Sequence, residues 1–106
     1  MEHIVLPGFL TFEWDEGNEL KNWIKHKVSA KEAEDAFYDI NRLLLEDIKH
    51  SKHEKRFVLF GKTKQGKKLF IVFTMRGKDN DKIRIISARS MKRKEREIYE
   101  KAIKST

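Results

Sequence analysis

The chain has no cysteine, which excludes disulfides, cysteine nucleophiles and thiolate metal sites together. That absence fits a reducing compartment. Its single proline is Pro7. No Pro/Gly/Ser linker, internal repeat or low-complexity tract divides the sequence, so 106 residues make one domain with one small core. No apolar run approaches the roughly 18–20 residues that cross a bilayer. Met1–Leu10 has no Lys or Arg, and Pro7 and Gly8 interrupt its apolar run. It therefore lacks the basic start and cleavage pattern of a signal peptide, and a cytoplasmic protein with no membrane partner is expected. There is no Gly-rich phosphate cradle, no HExxH and no GxSxG elbow. The carboxylates fall on expected helix surfaces and caps, not in clusters that hold two metals.

What the chain does have is charge, unevenly spread over a net +7. Residues 1–20 hold five acids (Glu2, Glu13, Asp15, Glu16, Glu19) and no Lys or Arg. Residues 21–55 hold eight bases against seven acids, and residues 56–106 hold sixteen bases against five acids. A half-domain at +11 attracts polyanions by Coulomb force and counterion release. The same charge also serves as a solvated surface that keeps the protein soluble.

Met1 to Leu10 reads as a loose leader, and 11–104 as the domain. Phe9 to Trp14 alternates with period two, as a short strand does. Asp15 can cap a helix running to about Lys27, whose Leu20, Trp23, Ile24 and Val28 share a face expected to be core. Ser29 with Glu32 forms a capping box for a second helix from Ala30 to about Tyr38, presenting Ala33, Ala36, Phe37 and Ile40 inward. Leu43–Leu45 begins a strand, followed by a polar His-containing loop. Arg56–Thr63 and Lys67–Arg76 are strands joined across Gly66, at a position suited to positive φ. Gly77–Asp81 is a turn and Lys82–Arg89 another strand. Ser90 can cap a last helix, Met91–Lys104, with Met91, Glu95, Ile98, Ala102 and Ile103 inward. The order βααββββα predicts an α+β domain with a small antiparallel sheet. Three helices cannot cover both faces of that sheet, leaving part of one for a partner or substrate.

Arg84 and Arg89 lie on the last strand, and Arg76 lies close to that strand's start across the turn. Strict alternation puts Arg84, Ile86 and Ala88 on one face and Ile83, Ile85, Ser87 and Arg89 on the other. Guanidinium forks match phosphate oxygens in pairs; they also guard sheet edges against aggregation. His26, beside Lys25 at a helix end, can exchange protons near neutral pH or simply complement the helix dipole. Trp14 can pack on the sheet or stack on a base. His50 and His53 form a weak metal pair in a surface loop, and no metal site or cofactor is expected. Nucleic-acid cleavage by such a set would proceed without metal, by attack of RNA's own 2′-hydroxyl with cations stabilising the crowded phosphate.

One stretch of motifs is more specific. Phe12–Glu13–Trp14–Asp15–Glu16, Asn18, Lys21 and Lys25–His26–Lys27–Val28–Ser29 resemble the opening of the BrnT toxin family. Lys27 stands where that family usually has glycine, and Ala30 where it has an aromatic residue. Glu32–Ala33, Phe37–Tyr38–Asp39, Glu54–Lys55–Arg56–Phe57, Gly61 and Phe73–Thr74–Met75–Arg76 resemble its middle. Ile83–Arg89, then Arg93, Glu95, Arg96 and Tyr99, resemble its close.

The resemblance implies a RelE-like fold and a ribonuclease that inhibits translation. It also implies pairing with a BrnA-like antitoxin, through which alone the complex reaches operator DNA. It places functional weight on His26, Lys25, Arg76, Arg84 and Arg89; the roles expected are catalytic for His26, Lys25, Arg76 and Arg89, and RNA-holding for Arg84, Lys21, Trp14 and Arg93. The alternative is a non-catalytic module that binds antitoxin or nucleic acid in operon repression.

Overall fold

The computed structural model describes residues 6–105. The Ile24 side chain and the leader residues Met1–Val5, including His3, lie outside the described residues. The elements are β1 (Thr11–Glu13), α1 (Glu16–His26), α2 (Ala30–Ala36), β2 (Leu43–Glu46), a 3-10 turn (Ile48–His50), β3 (Arg56–Lys62), β4 (Lys68–Arg76), β5 (Lys82–Ser90) and α3 (Arg93–Lys104).

They form an α+β domain with one five-stranded sheet, in the order β1-β5-β4-β3-β2. Strands β2 to β5 pair antiparallel. β1, however, runs parallel to β5, so the sheet is mixed where an antiparallel one was expected. No hairpin dictates β1's direction, because two helices and three strands intervene before β5 returns beside it. Alternation in sequence reports faces, not direction.

Local chemistry sets the helix ends. The Asp15 carboxylate accepts the Asn18 N–H at 2.7 Å at the start of α1. The Ser29–Glu32 capping box closes in both directions, at 3.0 and 3.1 Å. Between these helices Lys27 adopts a left-handed conformation, φ 56°, and its N–H returns to the Trp23 carbonyl. Glycine is the usual occupant of such a helix end, so lysine here keeps the junction at a steric cost. Gly66 takes φ 91° in the β3–β4 turn, as the sequence leads one to expect.

The two sheet faces differ. On the first lie α1 and α2, over a core of Val28, Ala33, Ala36, Phe37, Leu59, Leu69, Ile71, Phe73, Ile83, Ile85 and Ala88. Leu6 and Leu10, from the stretch read as leader, pack against this core, as do Phe12 and Trp14. Phe37 makes edge contacts with Phe12 and Phe73 at 5.2 and 5.1 Å. Gly61 lets α2 approach β3: a Cβ there would lie 2.5 Å from the Ala36 carbonyl oxygen.

The second face carries Val58, Phe60, Met91 and Tyr99, with Leu43, Leu45, Phe70, Val72 and Ile103 packed on them. α3 covers only the end where β3 finishes and β4 begins. It is tied there by Lys68–Glu100 at 2.6 Å and by the Tyr99 hydroxyl donating to Asp39. Burial, then the Asp39 carboxylate, pushes the Tyr99 hydroxyl's pKa up.

Several side chains point the other way from their expected facing. Leu20 and Trp23 are exposed, 58% and 49%, because α1 turns Asn18 and Asn22 toward the sheet instead. β1 pairs only with Lys82–Arg84, leaving the rest of the β5 edge with unpaired backbone groups. Asn18 Nδ2 donates to the Ile85 carbonyl at 2.8 Å, and Asn22 Oδ1 accepts the Ala88 N–H at 3.1 Å. Polar side chains are therefore needed on that face. Ile40 is also exposed, in the turn after α2.

α3 starts later than expected, with Lys92 and not Ser90 at its cap. Met91 N–H is taken by the Lys68 carbonyl at 2.9 Å, and Lys92 N–H by Glu95 at 2.7 Å. With that start Tyr99 faces the sheet, and Ile98 is exposed.

Candidate nucleic-acid interface

The geometry of the basic residues turns on a β-bulge. Val72 pairs with Ser87, but Phe73 pairs with Ile85, so Ile86 is an extra residue in β5. A bulge shifts the alternation by one. Ile83, Ile85 and Ala88 therefore all enter the first core, and Arg84 and Arg89 share the opposite face. Strict alternation had separated those two arginines. Along the strand they are still about 15 Å apart, at roughly 3.3 Å per residue.

At one end, β3–β4–β5 register aligns Arg56 with Thr74 and Thr74 with Arg84 in a row across the sheet. Two residues beyond Thr74, Arg76 projects from the same face. The row lies at the end of the sheet that α3 leaves uncovered. Arg76 meets Glu54 at 3.1 Å, and its Nε is buried with no acceptor among the described residues. Arg84 meets the other oxygen of the helix-capping Asp15 at 3.0 Å. Arg56 is in no ion pair among the described residues. Beneath them the Thr74 hydroxyl is buried and donates to the Lys55 carbonyl at 2.8 Å. The result is a shallow cationic surface with two paired carboxylates at its margin, Glu54 beside Arg76 and Asp15 beside Arg84.

The other end is built differently. Arg89 donates two hydrogen bonds to Glu95, at 2.7 and 2.8 Å, and its guanidinium lies 4.2 Å above the Phe70 ring. Arg89, above all by hydrogen bonding, holds the Glu95 carboxyl below its ordinary range. His26, at the end of α1, has its pKa lowered by partial burial first, then by the charges of Lys25 and Arg89. It is therefore an imidazole that stays neutral at pH 7.

Of the residues expected in the site, His26, Lys25 and Arg89 come together at this end, and Arg76 and Arg84 at the other. Trp14 is partly buried, packs on the first core and donates Nε1–H to Glu34 at 2.7 Å. Lys21 is exposed on α1, and Arg93 is exposed beside Glu97 at 3.5 Å. Arg56 and Glu54 are additions that the structure makes. Both lie in the Glu54–Lys55–Arg56–Phe57 motif, but only strand register reveals their neighbours.

Among the described residues no three His, Asp or Glu side chains converge in a metal-binding group. His50 turns its Nδ1 to Asp47 at 3.0 Å. No helix among them is long and apolar enough to cross a membrane.

The family model described as "Ribonuclease toxin, BrnT, of type II toxin-antitoxin system" matches residues 14–95. No curated protein sequence matches the chain. Among solved structures, the crystal structure of the Brucella abortus ribonuclease toxin BrnT is similar, with a TM-score of 0.59 and 18% identity. That alignment covers 80% of this chain and 100% of the Brucella chain. The family match spans more than half of the sequence and includes the arginine row, Glu54, His26 and Arg89. The chain belongs to the BrnT family of ribonuclease toxins of type II toxin–antitoxin systems.

Proposed function

We propose that this toxin cuts RNA at the uncovered end of the sheet, without metal, and so inhibits translation in the cytoplasm until an antitoxin neutralises it. The observation that carries the reading is the row Arg56–Thr74–Arg84 with Arg76 beyond it. Fixed guanidiniums aimed at one surface stabilise the extra negative charge of a phosphorane more than that of the ground-state phosphodiester.

The 2′-oxygen attacks phosphorus, its proton passes to the Glu54 carboxylate, and the 5′-oxygen leaves with a proton from solvent. The product ends are a 2′,3′-cyclic phosphate and a 5′-hydroxyl. DNA lacks the nucleophile and is not cut. Lys25 and His26, beside the Glu95-bound Arg89, hold a more distant part of the strand, about 15 Å from Arg84, with Lys21 and Arg93 as outlying phosphate contacts.

A second reading places proton transfer on His26, and the neutral imidazole beside two cations favours it. The antitoxin, BrnA-like, carries the DNA-binding part through which the pair reaches its operator.

The test is digestion of RNA by the purified chain in EDTA, with the product ends identified. Cyclic phosphate ends are expected. Intact RNA, or cleavage only after a divalent ion is added, overturns the metal-free route, and a chain that binds its antitoxin yet cuts nothing is a repression module. His26→Ala should retain most cleavage; its loss in a folded variant moves the proton transfer to His26.

A further inference from the structure

On the side of α1 turned away from the arginine row lies a groove of about 430 Å³ between α1 and the start of α2, lined by Glu16, Glu19, Leu20, Trp23, Ser29 and Ala30. We infer that this groove is where the antitoxin docks, by a helix that brings apolar anchors flanked by Lys or Arg. The inference rests on the toxin reading only in that the family supplies a protein partner.

Leu20 and Trp23 stand three residues apart on one helical face, and both are about half exposed. An i, i+3 pair of large apolar side chains beside a groove matches how helices are read by partners. Tryptophan is also the residue type that most often dominates interface energy. A soluble helix gains nothing from holding this pair in water while its other face is spent on Asn18 and Asn22.

Charge selects the occupant. Glu16 and Glu19 rim the groove and are in no ion pair among the described residues, in a chain whose net charge is +7. Two carboxylates repel phosphates, which disfavours RNA. A second copy of this chain around a two-fold axis would set the same acids against each other. A basic partner helix is attracted by both. The Lys27 ammonium lies over the Trp23 ring at 5.6 Å, so a partner arginine stacks on that ring only by displacing Lys27 or by taking the opposite face.

The experiment titrates the full chain with the full-length antitoxin encoded beside its gene. Trp23→Ala should weaken binding by about 30-fold or more, the loss typical of a central anchor. The double reversal Glu16→Lys with Glu19→Lys should weaken it about tenfold and slow association at low salt. Both variants should keep the wild-type melting temperature to within a few degrees and cut RNA at the wild-type rate. Unchanged antitoxin affinity in both variants overturns the proposal. So does lost RNA affinity with antitoxin binding intact, which would assign the groove to RNA, and so does an antitoxin that fails to bind the chain at all. An inactive wild-type nuclease whose antitoxin binding still depends on Trp23 leaves the docking site standing and removes only the catalytic reading.

Discussion

Arg84 and Arg89 share a strand, a sheet face and a formal charge, yet they sit in different chemical situations. Arg84 makes one ion pair with a half-exposed carboxylate and keeps part of its fork free. Arg89 is enclosed, with its side chain 25% exposed, both terminal nitrogens bonded to Glu95 and its plane on Phe70. A cation whose two terminal nitrogens are both bonded by the fold mainly holds the fold together. One with donors to spare is available to a ligand. Within one motif, then, arginines divide into ligand-facing and structural groups according to their partners.

The largest effect expected on that division is catalytic. Arg76→Ala and Arg84→Ala should each lower RNA cleavage about 100-fold, as loss of a transition-state charge partner does. Stability should move by no more than about 1 kcal/mol, since their ion pairs are solvent-facing. Cleavage rates and thermal melts on the same preparations check this; an unfolded Arg84→Ala would erase the contrast.

Arg89→Ala should do the reverse. Removing it leaves the Glu95 carboxylate partly buried without its partner, at a cost of about 2 kcal/mol, or about 10 °C in Tm. Arg89→Lys should recover only part of this, because a single ammonium cannot replace two parallel bonds and a stacked plane. A variant lacking Arg89 that melts like the wild type but has lost RNA binding would move Arg89 to the ligand-facing group.

A smaller effect follows from pH. Glu95 has its pKa lowered in the folded state by Arg89. Its contribution is fully present above the unfolded value near 4.5 and is lost as pH falls through the lowered folded value. Denaturation at falling pH should show a flatter acid limb in Glu95→Gln than in the wild type. Equal slopes would mean that the pair adds nothing to stability.

The smallest effect concerns the junction that positions His26. A lysine in the left-handed region costs about 1 kcal/mol, while its exposed cation–π contact with Trp23 returns about 0.5 kcal/mol. Lys27→Gly should therefore raise stability by about 0.5 kcal/mol, read as a higher urea midpoint with unchanged m-value.

Local rules carried the sequence reading a long way. The Asp15 cap, the Ser29–Glu32 box and Gly66 are written in adjacent residues, and each element lies near its expected position. The misreadings share a physical cause: they depend on what a segment meets in space. The period of α1 groups Leu20 with Trp23, but not which side of the helix is buried. That is decided by the unfinished edge of β5, which requires Asn18 and Asn22. Alternation in β5 assumes two residues per repeat, and the bulge at Ile86 breaks it silently. Arg56 acquires neighbours only once β3 and β4 are in register. His26, Lys25, Arg76 and Arg89 were visible as residue types, but not as members of two separate places on the sheet.

The asparagines of α1 carry one more consequence. A sheet ordinarily offers two borders at which a foreign strand can attach. Here the border strand β1 is only three residues long, and beyond it Asn18 and Asn22 cover the β5 edge through Ala88, so sideways growth of the sheet is directed to the longer β2. There the strand Leu43–Glu46 contains no proline or lysine, and the exposed Ile40 and Ile48 stand at either end of it. The molecule has a polarity for aggregation: misassembly under stress should begin at β2, and a single lysine placed in that strand should suppress it.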